Sequence, residues 1–430
     1  MTATEPSLTR EERAAIAGKI KSLVLEKHVN VANPSQDYGP WTREFDRRLD
    51  EVVAAPSRDA FENGVGSILQ GLGSSHTAFY HKVGDRIPPQ HAINASLRPM
   101  EIKGNRSWVF LNVIEDGPAH RAGIKDGDVL YSCDGKLAEP PNQPRFQLGG
   151  THELQLGEIE GSGTRSVTVE VPNRAAKDRP PMIEPKSITY RVAAPGIGMI
   201  RVASFPGAVG LSFARALDSA IAALARESCS RLIIDLRGNL GGGLGSLRLM
   251  SYLCAGKLSI GYSMSRTGIK RGWSKERLPR IGRIPAGKLG LLGMAVKFKV
   301  LHRDRSMVLE TEGLGKQSFH GRIVILIDEF SHSAAEMVAA FAKEHQLAVL
   351  VGNRTAGEVL GGANFRVGNG YYLRMPIAGW YTWQGNCIEG IGVTPDVAVD
   401  VDLTAIVRGK DVQIEKALEI VATLGVDAVR

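Results

Sequence analysis

The stretch from Ile323 to Glu336, I-V-I-L-I-D-E-F-S-H-S-A-A-E, constrains the fold of this chain more than any other. Its first five residues are all apolar, which predicts a strand buried on both faces. A short polar turn follows, and Ser333 then opens an alanine-rich helix. Backbone N–H groups and the helix dipole at such a position suit a nucleophile that generates an oxyanion. The structural alternative is a helix capping box, because Ser333-x-x-Glu336 has that pattern too.

Strands and helices alternate on the N-terminal side of this stretch. Ile197–Val202 and Leu232–Leu236 have the composition of buried strands, and Gly207–Arg226 has the period of a helix. Such alternation predicts a mostly parallel sheet that helices cover on both faces. The N-terminal region differs, because residues 8–70 have helical periodicity that ends at a glycine-flanked S-S-H-T sequence.

Short strands of alternating pattern begin at about Ile93. Trp108–Val113 predicts one strand, and Asp116–Leu130, D-G-P-A-H-R-A-G-I-K-D-G-D-V-L, predicts a one-turn helix and a tight turn before the next strand. This combination resembles a PDZ domain over roughly residues 93–171. PDZ domains bind an extended peptide as an added strand at a sheet edge. Their glycine-rich carboxylate loop has no obvious counterpart here, so Ser96–Met100 would take its place.

Composition and charge narrow the classes of function. The chain has 430 residues, 43% hydrophobic and 23% charged, which suits two or three globular domains. Its four cysteines lack metal-site or disulfide spacing, and no apolar run approaches the ~20 residues of a membrane span. The net charge is +8, and residues 257–316 contain 14 basic but four acidic residues. Because no aromatic interleaving or binding motif accompanies this excess, it favours a solvated insertion or a surface for acidic partners over a nucleic-acid site.

The N-terminal sequence bears on localisation. It lacks the apolar core of a signal peptide, so the chain as written is expected to be cytoplasmic. An exported form from which a signal had been removed would have the same sequence.

The sequence Asp235–Gly243, D-L-R-G-N-L-G-G-G, joins a buried strand to a glycine-rich turn. It fails as a phosphate loop, because it has neither G-K-[ST] nor G-x-G-x-x-G spacing. A packing turn, in which glycine lets a helix lie close to a strand, is one interpretation. The stronger interpretation is that this turn forms half of an oxyanion hole, because glycines expose backbone N–H groups beside a scissile carbonyl.

Six motifs in order resemble those of the C-terminal processing peptidases, and within them the tricorn core protease type. They are S-H-T, the PDZ-like segment, D-L-R-x-N-x-G-G, S-A-A-E, a G-x-x-T-x-G loop and I-E-G-I-G-V-T-P-D. The resemblance implies an α/β protein with a ClpP/crotonase-like catalytic core, an N-terminal helical segment and an inserted PDZ domain. The expected boundaries are 1–90 for the helical segment with the S-H motif, 91–172 for the PDZ domain, 173–186 for a linker, and 187–430 for the core with a basic insertion at 255–320.

The resemblance also implies the roles of individual residues. Ser333 would be the nucleophile, and the N–H groups of Ala334 and Gly241 would form the oxyanion hole. Gly242 and Arg237 would contact substrate.

The branches of this family differ in the residue that serves as general base. One branch uses a lysine in a T-x-G-K loop, but here Glu358 stands in that place. The tricorn type takes its base from the S-H pair, which corresponds to Ser75 and His76, and its orienting acid corresponds to Glu389. Imidazole suits this role at neutral pH, and a carboxylate fixes its tautomer. Ser75 would connect His76 to Glu389 or to the backbone.

Each candidate has a structural alternative. His76 could end a helix, Glu389 could be an ordinary turn acid, and Glu358 could be an ion-pair partner. His332 is an alternative base, although adjacent side chains usually diverge. Arg237 could anchor the turn that follows its strand.

The expected function is hydrolysis of peptide bonds in peptides or in unfolded or C-terminal protein segments, through an acyl-enzyme and without metal or organic cofactor. Peptide or unfolded protein is the expected partner, with no nucleic acid and no membrane span; a homo-oligomer is left open. The alternative is a catalytically inactive relative that binds a peptide through its PDZ domain or binds an apolar ligand.

Overall fold

The computed structural model describes residues 8–30, 36–82, 86–161, 163–173, 181–207, 209–285, 290, 292–293, 296 and 306–423. Within these residues the chain has the mixed α/β architecture that the sequence predicts. Half of the predicted 173–186 linker, residues 174–180, lies outside the described residues, as does much of the basic segment between 286 and 305.

The N-terminal segment consists of helices that end in one strand. A capping box begins the first helix, because Glu12 N–H donates to Thr9 Oγ1 (3.1 Å) and Thr9 N–H donates to the Glu12 carboxylate (2.8 Å). The elements are α1 (Arg10–Lys27), α2 (Gly39–Val53), α3 (Arg58–Gln70) and β1 (Ala78–His81).

The middle segment is an antiparallel sheet with its own apolar core. The elements are β2 (Arg86–Ile87), α4 (Pro89–Ala92), β3 (Ser96–Ile102), β4 (Asn105–Leu111), α5 (Pro118–Arg121), β5 (Val129–Cys133), β6 (Lys136–Leu137), β7 (Phe146–Gln147), β8 (Thr151–Gly157) and β9 (Thr164–Glu170). The strands of the sheet follow the order β3-β4-β5-β8-β9, with β6 also paired to β5, and β2 and β7 form a separate two-stranded sheet.

The rest of the described chain alternates strands and helices. The elements are β10 (Ile188–Ala194), β11 (Ile197–Val202), α6 (Leu211–Arg226), β12 (Arg231–Asp235), α7 (Gly245–Tyr252), β13 (Ser259–Ser265), α8 (Arg266–Lys270), β14 (Arg280–Ile281), β15 (Met307–Glu310), β16 (Arg322–Ile327), α9 (Ala334–Glu344), β17 (Val349–Gly352), β18 (Gly361–Gly368), β19 (Tyr371–Thr382), β20 (Val397–Ala398), α10 (Leu403–Val407) and α11 (Val412–Thr423).

The central sheet has the order β10-β11-β12-β16-β17-β20, and every pair except β10–β11 is parallel. Helices α6, α7 and α9 pack on one face and α11 on the other. The prediction of a mostly parallel, doubly covered sheet is therefore confirmed. Because β12 and β16 are parallel neighbours, the glycine-rich turn after Asp235 and the turn before Ser333 leave the same edge of the sheet.

A second sheet fixes the N-terminal segment to the core. Its order is β1-β19-β13-β15-β14, with β18 also paired to β19. Leu373 and Met375 of β19 pack with the buried faces of α1, α2 and α3. Strand β1 therefore holds the S-H motif, which lies just before it, against the core.

The predicted basic insertion, 255–320, is integrated into this second sheet where the structure describes it. It supplies β13, β14 and β15, and β13 pairs with β19 over five residues from Gly261 to Ser265. The described part of this segment is therefore part of the second sheet and not a separate solvated insertion. None of the helices that the structure describes combines the length and the apolar composition needed to cross a bilayer.

A buried histidine braces the loop that carries the S-H motif. His28 follows α1 and is fully buried; its Nδ1 lies 2.7 Å from Tyr38 Oη and its Nε2 lies 2.8 Å from Ser74 Oγ. Burial, with a smaller contribution from the charge of Arg266, lowers the pKa of His28 to about 4. His28 is therefore neutral in the folded protein at neutral pH.

This burial predicts a loss of stability in mild acid. Between the unfolded pKa and the folded value, the unfolded chain binds a proton that the folded chain does not, so the free energy of unfolding falls as pH falls. For His28 the loss between pH 7.5 and pH 5 is about 2 kcal/mol. Urea unfolding should show a smaller pH effect in His28→Gln than in wild type, whereas His320→Gln, at an exposed position, should keep the wild-type effect. Equal pH effects in wild type and His28→Gln would contradict the prediction.

Candidate active site

Ser333 has an unusual backbone conformation between β16 and α9. Its φ is 55° and its ψ is −112°, in a region that residues with a side chain rarely adopt. Such a conformation costs of order 1–3 kcal/mol and persists where surrounding contacts fix it. A strained serine between a strand and a helix is the local geometry that several hydrolases use for their nucleophile.

The buried carboxylate of Glu336 supplies those contacts. Glu336 is fully buried and accepts the Ser333 N–H (3.1 Å), so the predicted capping contact is confirmed. It also accepts the Thr355 hydroxyl (2.7 Å) and the N–H groups of Gly357 (2.6 Å) and Glu358 (2.8 Å). Burial raises the pKa of Glu336 while these hydrogen bonds lower it, and the net shift is upward. The carboxylate thus joins the serine turn to the 355–358 loop.

Gly241 lies directly against Ser333. Its φ is +73°, and a Cβ at this position would lie 2.7 Å from Ser333 Cβ and 3.2 Å from the Ala334 nitrogen. Only glycine fits such an approach. The predicted oxyanion residues are therefore adjacent in space.

The two expected oxyanion donors differ in their present partners. The Ala334 N–H donates to no residue that the structure describes. The Gly241 N–H, expected to be free, instead donates to Asn239 Oδ1 at 2.7 Å. Asn239 is fully buried and its Nδ2 donates to the Val202 carbonyl (2.6 Å), so this acceptor is firmly held.

The two residues predicted to contact substrate differ in their surroundings. A Cβ on Gly242 would lie 2.0 Å from the Phe205 carbonyl oxygen. Gly242 and Phe205 form an isolated parallel bridge, whose two hydrogen bonds join Phe205 to the Gly241 carbonyl and to the Gly243 N–H, each at 2.8 Å. Arg237 donates to both carboxylate oxygens of Asp235, to Asp411 and to Gln413, at 2.8 to 2.9 Å. These contacts favour the anchoring alternative for Arg237 over the substrate contact, because most of its donors are used.

The S-H motif meets the predicted late acid in one hydrogen-bonded chain. The Ser75 hydroxyl donates to Glu389 Oε2 (3.0 Å) and lies 2.9 Å from His76 Nδ1. The Ser75 N–H donates to Glu389 Oε1 (2.9 Å), and Val359 N–H donates to Oε2 (2.8 Å). Ser75 and Glu389 are 314 residues apart in sequence, and only the folded chain brings them together.

His76 lies within electrostatic reach of His332 and Glu358, which adjoin Ser333. No hydrogen bond joins the side chains of His76 and Ser333 in the described structure. Burial and then the charge of Arg374 lower the pKa of His76 to about 3, opposed by Glu358. His76 is therefore neutral at neutral pH, which is the form that accepts a proton.

The alternative base, His332, pairs with the residue in the lysine position. Its Nδ1 lies 3.2 Å from Glu358 Oε2. Burial lowers the pKa of His332, but the hydrogen bond and charge of Glu358 outweigh it and the net shift is upward. The hydrogen bond from His332 lowers the pKa of Glu358. Glu358 thus has the ion-pair role given as its alternative, and its carbonyl accepts the Ser333 N–H at 3.0 Å.

Several contacts around the serine turn were not predicted from the sequence. Asp328 is buried and accepts the N–H groups of Gly238 (3.0 Å) and Phe330 (3.1 Å). Asn112 of the middle segment donates to Asp328 at 2.6 Å. A polar residue directly after a buried strand could have marked Asp328, but nothing in the sequence marks Asn112.

Arg374 is a second residue that sequence reasoning missed. It is the only charged residue in the twelve-residue strand β19, Y-Y-L-R-M-P-I-A-G-W-Y-T, and that isolation was the available signal.

One group of described side chains has the composition of a metal site. Cys133, Asp134 and His152 have potential ligand atoms within 4.8 Å of one another. However, His152 Nε2 accepts the Gln147 N–H (2.8 Å) and its Nδ1 lies 2.7 Å from Asp134. Both ring nitrogens are therefore engaged in hydrogen bonds within the middle sheet.

A serine at a helix start, beside backbone N–H groups and a histidine–carboxylate chain, is the arrangement of serine hydrolases. The sequence profile of peptidase family S41 matches residues 196–399. The chain is a serine-type peptidase that is similar to this family over those 204 of its 430 residues, and the predicted resemblance to the C-terminal processing peptidases is confirmed.

Individual proteins that are similar to this chain include peptidases of the same kind. A "Carboxy-terminal-processing protease" of Bartonella bacilliformis is 25% identical over 403 residues, which cover 91% of this chain and 82% of the relative. A "Putative tricorn protease homolog 2" of Streptomyces coelicolor is 25% identical over 82% of this chain, which spans only 27% of that protein. The solved structure titled photosystem II D1 C-terminal processing protease has a TM-score of 0.55 and 17% identity, covering 97% of this chain and 99% of its own; it shares the fold.

Removal of the Glu336 carboxylate should destabilise the whole protein. In Glu336→Ala, three backbone N–H groups and one hydroxyl lose a buried acceptor, so we expect the free energy of unfolding to fall by at least ~3 kcal/mol. Glu344→Ala is the matched control, because Glu344 ends the same helix and, among the described residues, its carboxylate accepts one hydrogen bond, from the Gln384 N–H. Chemical unfolding of both variants would measure the difference, and equal stability would show that Glu336 does not hold the turn.

Proposed function

We propose that Ser333 is the nucleophile, His76 the general base and Glu389 the acid that orients His76 through Ser75. The hydrogen-bonded chain from Glu389 through Ser75 to His76 Nδ1 is the observation that carries this proposal. This chain joins the S-H-T motif to the I-E-G-I-G-V-T-P-D motif, and the two motifs have no other shared role. The position of Glu389, which also accepts the Val359 N–H next to Glu358, brings that chain to the 355–358 loop beside Ser333.

The direction of the hydrogen bonds supports a specific tautomer of His76. An ionised Glu389 carboxylate only accepts, so the single Ser75 proton points to it. The Ser75 oxygen then accepts a hydrogen bond from His76 Nδ1–H, and Nε2 keeps its lone pair. His76 Nε2 is thus the atom that takes the Ser333 proton as Ser333 Oγ attacks the peptide carbonyl.

Two backbone amides are the proposed donors to the oxyanion. The Ala334 N–H, at the start of α9, is available, and the helix dipole adds to its effect. The Gly241 N–H has to exchange Asn239 Oδ1 for the oxyanion when substrate binds. His76 then gives its proton to the leaving amine, and water attacks the acyl-enzyme by the same route.

The substrate class is proposed from the relatives. The first relative described above carries carboxy-terminal processing in its name, and we extend this activity to peptides and to unfolded or C-terminal protein segments here. No organic cofactor or metal takes part in the proposed steps.

Finer features of the fold belong to the same proposal. We assign a PDZ domain to 91–172, between the helical segment 1–90 and the linker 173–186, and a ClpP/crotonase-like core to 187–430. The separate apolar core of the middle sheet and the doubly covered central sheet support this division. The Asn112–Asp328 hydrogen bond gives the PDZ domain a direct contact with the serine turn.

A fluorophosphonate probe tests the nucleophile and the base. We expect the wild type to be labelled, Ser333→Ala to remain unlabelled, and His76→Ala to react about 10²- to 10⁴-fold more slowly, because the hydroxyl lacks its base. His332→Ala is the matched control and should stay within tenfold of wild type. Unlabelled wild type that cleaves no unstructured protein would refute the peptidase site. A larger loss in His332→Ala than in His76→Ala would make His332 the base.

Substitution of the orienting acid tests the hydrogen-bonded chain. In Glu389→Gln, an amide NH₂ can point at Ser75, which reverses the chain and favours the wrong His76 tautomer. We expect kcat to fall by about 10²- to 10⁴-fold with little change in KM. Ser75→Ala, which leaves His76 Nδ1 without its partner, should lower kcat in the same direction.

The matched control for that experiment is Glu358→Gln. It alters the other carboxylate of the site, which pairs with His332, and should change kcat less than tenfold. If Glu358→Gln instead lowers kcat more than Glu389→Gln, Glu389 is not the orienting acid.

A further inference from the structure

Arg374 lies beside the elements that carry the proposed catalytic residues. The register of the second sheet pairs Arg374 with Ala78, two residues after His76, and with Asn364 of β18. Leu373 and Met375, on either side of it, are buried in the cluster formed with the N-terminal helices. Because side chains alternate along a strand, Arg374 projects from the opposite face of β19, away from those helices.

The guanidinium of Arg374 makes no hydrogen bond and no ion pair with any residue that the structure describes. The side chain is nevertheless half-buried, and burial lowers its pKa. The two carboxylates of the site are engaged with other partners, Glu358 with His332 (3.2 Å) and Glu389 with Ser75 (3.0 Å). Among the described residues, Arg374 is therefore a cation in the active-site region that no carboxylate contacts.

The neighbouring strand has a glycine where it packs against this guanidinium. A Cβ on Gly362 of β18 would lie 2.9 Å from Arg374 Nε and 3.3 Å from its Cζ. A larger residue at 362 would press on the guanidinium. Gly362 is four residues from Glu358, so Arg374 lies between the loop at Ser333 and the strand that follows His76.

We propose that Arg374 binds a carboxylate of the peptide substrate near the scissile bond. The carboxylate is supplied either by the free C-terminus of the substrate or by an Asp or Glu side chain. A guanidinium presents parallel N–H donors that match the two oxygens of a carboxylate, and a half-buried guanidinium without a partner is costly. The assignment rests on the proposed function of Ser333 and His76, and it names the chemical group that their substrate carries.

The same ion pair affects the proposed base. The charged and titratable groups that act on His76 are Arg374, Glu358, His332 and His91. After burial, the charge of Arg374 is the largest influence that lowers the pKa of His76. A bound carboxylate offsets that charge, so the carboxylate makes His76 a stronger base when substrate is present. Substrate charge then contributes to kcat as well as to KM.

Matched peptides test the subsite. One pair differs only in a C-terminal acid or amide, and a second pair has amidated ends and differs only in Glu or Gln near the cleavage site. We expect wild type to show a kcat/KM about 10- to 100-fold higher for the acid member of one pair, and the pair that responds identifies the source of the carboxylate. Equal rates within both pairs would overturn the proposal.

The variants separate recognition from structural support. Arg374→Gln should abolish the preference for the acid member of the responding pair, and Arg374→Lys should keep part of it. The acid limb of kcat/KM should move to higher pH in Arg374→Gln, because loss of the positive charge raises the pKa of His76. Arg366→Gln, on β18 of the same sheet, is the control and should retain the full preference. A preference that survives in Arg374→Gln would contradict the assignment.

Failure of the proposed function has a different signature. Fluorophosphonate labelling of Ser333 needs no carboxylate, so absence of labelling in wild type speaks against the catalytic residues alone. Binding of the fluorescent acid and amide peptides to Ser333→Ala, measured by anisotropy, then decides the Arg374 subsite without catalysis. Tighter binding of an acid peptide supports it, and equal binding overturns it.

Discussion

The buried carboxylate of Glu336 is the interaction on which the serine turn depends. Four donors from two separate segments converge on it, at 2.6 to 3.1 Å, and none of its surface is exposed. A charge in such a place is tolerated only because its hydrogen bonds replace water. The strained backbone of Ser333 is held by this group and by the Glu358 carbonyl. The capping role and the nucleophile role of the motif are therefore compatible.

A second carboxylate, Glu389, joins the N-terminal segment to the core. It holds Ser75 through two hydrogen bonds and Val359 through a third. The pairing of β1 with β19 and the bracing of Ser74 by His28 position the same loop from the other side. Tertiary contacts thus position His76 at the candidate site, although it lies far from Ser333 in sequence.

Several features could be predicted because they are local. The apolar run of β16, the Thr9–Glu12 capping box and the alternation of strands and helices arise from contacts between residues close in sequence. The serine and glycine motifs were also placed correctly side by side, because two parallel neighbouring strands end at one edge of the sheet. In contrast, the basic segment was predicted to be an insertion, because its many charged residues obscured the pattern of the short strands β13, β14 and β15, of which β13 pairs with β19.

Ordered motifs alone determined that this is an α/β serine peptidase and which residues are candidates for catalysis. Only the tertiary structure decided how the candidates are used. It engaged Arg237 in an ion-pair network, occupied the Gly241 N–H with Asn239 and paired His332 with Glu358, and it gave Arg374 no hydrogen-bond partner among the described residues. The physical reason is that the chemistry of a polar side chain depends on its neighbours, and these neighbours come from segments that the sequence does not link.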